Sequence, residues 1–281
     1  MEETSLPISV VISTYNAERW LEKAFIGYLV QTHKRFEIIV ADDGSRPETA
    51  KMVSRFAALE SVPVRHIWHE DRGYRRQEIL NKAIPWAKYD YIVFTDGDCI
   101  PRRDFLELHA RMARNGHFLS GGYCRLDLRT SLMLEADDII DGTCFKPSWL
   151  RSRQRLGISS WLKLGSNPTS AKFLDAAIMA GATFNNYNSS AWKRDLIAVN
   201  GYDERIKHDD ADRELGERLV NAGIKGLQIR HRAVCIHLDH DRPCRTAGAL
   251  RNGHEIRQET RSLKRIKTPF GISEQGEANA V

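Results

Sequence analysis

The segment FTDGD, residues 94–98, sets two carboxylates one residue apart at the end of an apolar run. A bare buried charge is costly, so Asp96 and Asp98 must be solvated, hydrogen-bonded or paired with a cation. Hard oxygen ligands of this kind suit a divalent cation that keeps coordination sites open for phosphate. A polar loop after a strand is the plainer alternative. Similar polar clusters end two earlier apolar runs: Ser13-Thr14-Tyr15-Asn16 after ISVVIS, and Asp42-Asp43-Gly44-Ser45 after FEIIVA. HEDRGYRRQEILN (69–81) carries Arg72, Arg75 and Arg76 just ahead of a helical pattern. Guanidinium groups and free backbone N–H groups at a helix start can together grip phosphate, and Arg76 is the candidate of the three. DDADRELGERL (209–219) opens a helix on Asp209, Asp210 and Asp212, and HLDH (237–240) sets His237 and His240 behind the last apolar run.

The elements that would carry these groups alternate. ISVVIS (8–13), FEIIVA (36–41), VPVRHIW (62–68) and YIVFTDGD (91–98) read as strands, the first two buried. Between them, residues 18–31 show helical spacing, Pro47 opens a second helix, and 75–87 form a third that breaks near Pro85. Such alternation calls for a parallel sheet with helices on both faces. Ligands of such sheets bind outside the carboxyl ends of the strands, where all the early polar clusters fall. After 105 the pattern loosens. HFLSGGYC (117–124) reads as one strand, 209–223 as a helix ending at Gly223, and RAVCIH (232–237) as a strand. Residues 147–174 contain no acid but hold Arg151, Arg153, Arg155, Lys163 and Lys172 with Trp149 and Trp161. This composition fits a flexible lid, or an element lying on a membrane surface, and not a core element. The chain beyond 245 reads as a polar basic tail, disordered at its end.

Bulk properties set wide bounds. With 281 residues and 42% hydrophobic content, the chain can build one sizeable core. A net charge of +5 fits an anionic ligand or surface. No dense basic patch interleaves with aromatics, so nucleic acid is not expected as a partner. Five scattered cysteines without a C-x-x-C pair suit a reducing cytosol. The acidic start lacks an apolar signal region and no stretch is long enough to span a bilayer, which implies cytoplasmic placement.

The ISVVISTYN opening, VADDGS, FTDGDCIP and the run from NYNSSAWKRDLIAVNGYDE into DRELGERLVNAGIK together resemble family 2 glycosyltransferases of the GT-A fold, over roughly residues 7–240. The later part is also similar to the C-terminal half of family 7 galactosyltransferases and of bacterial chondroitin-type polymerases. The resemblance implies one GT-A domain over 1–245, an α/β fold with a mostly parallel Rossmann-like sheet. Residues 1–105 would be its nucleotide-binding half and 106–245 its acceptor-binding half. It implies inverting transfer of a hexosyl or N-acetylhexosaminyl group from a UDP-sugar to a glycan or lipid-linked saccharide in bacterial surface polysaccharide synthesis. Peripheral contact with the inner membrane face would accompany such an acceptor. The resemblance places Tyr15 and Asp43 at the uracil, with Thr14 and Asn16 nearby, and Asp96 on ribose or metal. It puts Mn²⁺ or Mg²⁺ on Asp98 with His237 or His240, and Asn188 and Trp192 on the acceptor side. The catalytic base aligns with Asp212, with Asp209 and Asp210 as alternatives. The glutamate that usually precedes the base falls on Ala211, and that departure keeps open a catalytically silent nucleotide-sugar binder or assembly subunit.

Overall fold

The computed structural model describes residues 5–177, 181–207, 210–240 and 247–272. The first hundred residues alternate as expected: β1 (Ile8–Thr14), α1 (Glu18–Leu29), β2 (Phe36–Asp42), α2 (Pro47–Ala57), β3 (Val64–Trp68), α3 (Arg76–Trp86) and β4 (Tyr91–Asp96). There follow β5 (Cys99–Pro101), α4 (Phe105–Met112), β6 (His117–Ser120), β7 (Gly122–Arg125), α5 (Leu128–Met133), α6 (Ala136–Ile140) and a 3₁₀ turn at Thr143–Phe145. The chain continues through α7 (Pro147–Arg151), α8 (Ile158–Gly165), α9 (Pro168–Ala177), β8 (Ser189–Trp192), α10 (Lys193–Ala198), α11 (Asp210–Asn221), β9 (Lys225–Gln228), β10 (Val234–His237) and α12 (Ala247–Ser262).

β1 and β2 are buried along their whole length, because helices cover both faces of a parallel sheet. The large sheet runs β3-β2-β1-β4-β8-β6-β9. Its first four strands are parallel, while β8 runs antiparallel to β4 and β6. The chain steps outward from β1 to β3 and then returns to β4 on the other side of β1. That reversal opens a crevice at the carboxyl ends of β1 and β4. The register sets Ser13 beside Asp96 and Thr14 beside Asp42 on that edge.

HFLSGGYC is not one strand. β6 belongs to the large sheet, whereas β7 joins β10 and β5 in a second sheet. The switch needs both glycines: a Cβ on Gly121 would lie 2.1 Å from Asn188 Oδ1, and one on Gly122 would lie 2.2 Å from the Arg230 carbonyl.

The 147–174 stretch is also more anchored than its composition suggests. Leu150 is buried, and Trp149, Leu156 and Leu164 pack on the apolar cluster around the small sheet. Trp149 donates to Asp138, Lys163 donates to the Tyr123 carbonyl, and buried Asp175 accepts from His231 and Arg232. The polar tail is corrected too. Over 247–262 it is helix α12, with Gly253, Ile256 and Thr260 buried at helical spacing against α11. Its charges hid this from a hydrophobicity reading because they are paired, Arg257 with Asp210 and Glu217 and Arg261 with Glu217.

Under α12, Arg218 and Glu214 form a fully buried ion pair. Arg218 also donates to the Val199 and Gly201 carbonyls, and Glu214 accepts from Thr260. Arg218→Ala is expected to cost about 3–5 kcal/mol, since it strands the Glu214 charge in the interior. Urea unfolding at neutral pH measures the loss, and a cost near zero would mean that Glu214 reaches water.

A second buried knot joins α4 to β8. The His109 imidazole is hydrogen-bonded to Ser190 Oγ at 2.8 Å and Asn188 Oδ1 at 2.9 Å. Burial, opposed only by the Asn188 bond, lowers its pKa to about 4. An unfolded histidine titrates near roughly 6.5. Between those values the unfolded chain takes up a proton that the folded chain refuses. Stability from this group is therefore complete above about 6.5 and drains away as the pH falls towards 4, by about 3 kcal/mol in all. From pH 7 to 5 the native chain should lose about 2 kcal/mol more than His109→Gln does. Equal pH slopes in urea titrations of the two would remove His109 as the acid-sensitive group.

Candidate active site

The two aspartates of the D-G-D turn occupy different environments. Asp96 ends β4 and accepts from Ser13 Oγ at 2.9 Å and from the Arg76 guanidinium. Asp98 faces the end of β10: His240 Nε2 lies 2.9 Å and His237 Nε2 lies 3.6 Å from its Oδ2. Gly97 between them lies against β1, donating to the Ser13 carbonyl, so it brings the turn close to the protein and not only to a ligand.

Burial pushes the Asp96 carboxyl up, Arg76 opposes this, and the neighbouring Asp98 charge adds to the rise. Burial also acts to raise Asp98, but the His240 hydrogen bond and the charges of His237 and His240 outweigh it and hold that carboxyl down. Asp98 is thus the carboxylate kept charged, with its side chain 12% exposed.

The histidines suit a cation. The His237 Nδ1 lies 2.8 Å from the Leu238 carbonyl. That carbonyl can only accept, so Nδ1 donates to it and Nε2 is the ring nitrogen turned towards Asp98. Asp98, Cys99 and His237 bring ligand atoms within 4.8 Å of one another. Burial holds the Cys99 thiol well above its usual range, so it does not offer a thiolate. That leaves the Asp98 oxygen and the His237 nitrogen, with His240 Nε2 also 2.9 Å from Asp98, as atoms of the kinds that could hold a cation such as manganese.

Asp43 is held by His69 Nε2 at 2.8 Å and by the Arg75 backbone N–H at 3.0 Å. Tyr15 stands 49% exposed at the rim, its hydroxyl donating to Asp71. Thr14 Oγ1 and Arg76 Nε are buried with no partner within the protein, which marks the floor between β1 and α3 as a place where a polar ligand would complete the bonding. Of the other arginines, Arg72 pairs with Glu70 in solvent and Arg75 pairs with Glu78. Asn16 has a left-handed backbone, φ 45°, and its side chain accepts from the Arg46 N–H, so it shapes the loop between β1 and α1 and ties it to the start of α2.

Asp212, at the start of α11, accepts from the Asn186 backbone N–H at 3.2 Å. Tyr202 fixes that segment by donating to Asn186 Oδ1. The Asp212 charge acts on Arg76, the residue that binds Asp96, so the start of α11 lies within electrostatic reach of the D-G-D turn. Asp210 is turned the other way, onto Arg257 of α12 at 2.6 Å. Asp209 lies outside the described residues. Ala211 is buried in the apolar cluster with Ile206 and Leu215.

Two acceptor-side expectations are overturned. The Asn188 side chain is fully buried and bonded to His109 and to the Gly122 and Ala233 carbonyls, so it joins sheets and does not reach a ligand. Trp192 pairs with Tyr91 at the opposite end of β4 from Asp96, roughly 17 Å away at the rise of an extended strand. Its indole stacks edge-on against Tyr91 and donates to the Arg114 carbonyl. The helpers that sequence reasoning missed are Ser13, His69, Asp71 and Tyr202. Ser13 lay within a noted cluster, and His69, Asp71 and Tyr202 lay within quoted segments in which other residues were singled out.

This fold, a largely parallel sheet with its crevice at the carboxyl edge, is that of the GT-A glycosyltransferases. Residues 9–125 match the family described as Glycosyl transferase family 2. An uncharacterized glycosyltransferase of Rickettsia felis is 30% identical over 112 residues, 40% of this chain and 18% of the relative. A chondroitin synthase of Pasteurella multocida is 28% identical over 100 residues, 35% of this chain and 10% of the relative. The chain thus spans under a fifth of the length of these relatives. Among solved structures, S. aureus TarS 1–349 in complex with UDP-GlcNAc superposes with a TM-score of 0.64 at 11% identity, covering 95% of this chain and 68% of that one. A mannosyltransferase from Pyrobaculum calidifontis in complex with GDP-Man and Mn²⁺ gives a TM-score of 0.55 at 18% identity, covering 93% and 64%. No helix among the described residues is long and apolar enough to cross a membrane.

Proposed function

We propose that this chain is an inverting, divalent-metal-dependent glycosyltransferase that moves a hexosyl or N-acetylhexosaminyl group from a UDP-sugar to a glycan or lipid-linked saccharide. Bacterial surface polysaccharide synthesis is the setting we assign to it. We also take the second half, with its NSSAW and DRELGERL segments, as kin to the family 7 and chondroitin-type enzymes. The observation that carries the reading is the convergence of Asp96, Asp98, His237, His240, Arg76 and Asp212 on one crevice at the carboxyl edge of the sheet.

In this reading Tyr15 offers its ring to uracil and Asp43 accepts the base N–H, while Thr14 Oγ1 takes up a nucleotide oxygen. Asp96 binds ribose through the oxygen that Ser13 and Arg76 leave open. Asp98, with His237 and His240, would hold a Mn²⁺ or Mg²⁺, whose charge would neutralise the diphosphate. Arg76 Nε meets a diphosphate oxygen. Asp212 accepts the proton of the acceptor hydroxyl as that oxygen attacks the anomeric carbon and the bond to UDP breaks. The alternative of a silent nucleotide-sugar binder draws on Ala211: an apolar side chain in the core stands where the family carries a carboxylate.

A UDP-release screen across UDP-sugars, with and without Mn²⁺, tests this, with calorimetry for UDP alongside. Metal-dependent release is the expected result. UDP binding with no turnover on any donor or acceptor would favour the silent binder, and failure to bind UDP at all would end both readings.

A further inference from the structure

Helices α8 and α9 are inverted relative to ordinary surface helices. On α8, Lys163 and Leu164 face inward, onto the Tyr123 carbonyl and the small-sheet cluster. The residues turned outward are Ile158, 80% exposed, and Trp161, 46% exposed. They stand three positions apart, on one side of the helix. On α9, Ala171 and Asp175 are buried, and Phe173 is 72% exposed. Three large apolar side chains therefore meet solvent on consecutive helices, although α8 could have turned its lysine outward. Large apolar groups left exposed and rimmed by polar residues mark an interaction surface.

Charge names the partner. Lys146, Arg151, Arg153, Arg155 and Lys172 are all exposed around these helices. Residues 147–174 contain no Asp or Glu. Apolar side chains, tryptophan among them, ringed by cations are the composition that lies in a bilayer interface. An exposed cationic rim attracts anionic headgroups within a Debye length. The Asp175 links to His231 and Arg232 tie α9 to the protein on the side away from Phe173's exposed ring. We infer that the outer face of α8 and α9 docks the protein on an anionic lipid surface, with Ile158, Trp161 and Phe173 entering the headgroup layer and the surrounding arginines and lysines contacting phosphate.

The inference stands apart from the catalytic reading, because its test needs no turnover. The full chain is centrifuged with sucrose-loaded vesicles of phosphatidylcholine, or of phosphatidylcholine mixed with phosphatidylglycerol, at low and high salt. The native chain should sediment with the anionic vesicles only, and less so at high salt. Ile158→Ser/Trp161→Ser/Phe173→Ser and Arg151→Gln/Arg153→Gln/Arg155→Gln should each lose about tenfold or more in partitioning, given the strength of such contacts. Both should keep the native circular dichroism melt. The inference is overturned if the native chain stays in the supernatant with both vesicles, or if the apolar variant sediments like the native chain. It also fails if these substitutions abolish a concentration-dependent dimer instead, which would give the face to a second copy. An effect on KM for a water-soluble acceptor without vesicle binding would make it a substrate lid.

Discussion

Asp98→Asn is expected to abolish metal-dependent turnover while leaving the fold intact. The substitution keeps shape and hydrogen-bonding capacity and removes only the negative charge, the feature that makes this side chain a ligand. Losing an outer partner of a metal ligand costs roughly 10–100-fold in metal affinity or activity, and losing the carboxylate ligand itself should exceed that. In the native chain His237 Nε2 and Asp98 Oδ2 face each other at 3.6 Å. An amide nitrogen there can donate to the imidazole, so the site closes on itself without a cation. Calorimetric titration with Mn²⁺ should show the heat of binding lost in the variant, and UDP release should become independent of metal. Native Mn²⁺ affinity in Asp98→Asn would show that the cation sits elsewhere.

Asp212→Asn should reduce transfer by about 10²–10⁴-fold, the usual worth of a positioned general base. The amide oxygen can still accept from the Asn186 N–H, so the α11 start keeps its position. KM for the UDP-sugar and calorimetric binding of UDP should hardly change. Asp210→Asn supplies the contrast. It breaks the pair with Arg257 between α11 and α12, and should lower stability with little effect on kcat. If Asp210→Asn abolished transfer and Asp212→Asn did not, the base assignment would move two residues upstream.

Strands β1, β2 and β4 were legible because a strand covered on both faces is apolar throughout, a signal contained in the local sequence, whereas β3 is only partly buried. The polar ends of those strands were legible for the same reason, since carboxylates closing an apolar run need a partner. What the sequence could not convey was direction and distance. Trp192 sits in a segment of plausible acceptor type, but β8 runs antiparallel to β4 and carries it to the far edge. Asn188 looked like a ligand-binding amide, yet the chain folds three elements onto it. Among the aspartates of DDAD, 100° of helical rotation per residue turns Asp210 to α12 and Asp212 to the crevice.

By itself, then, the order of residues determined a parallel α/β core, its carboxyl-edge crevice and the chemical types gathered there. Tertiary structure alone decided that HLDH returns from a position some 140 residues later to meet Asp98, and that a tail of charged residues becomes a helix sealing α11. Local patterning is written in neighbours a few positions apart. Which carboxylate meets which cation across the molecule depends on loop paths and strand directions, which no short window of residues encodes.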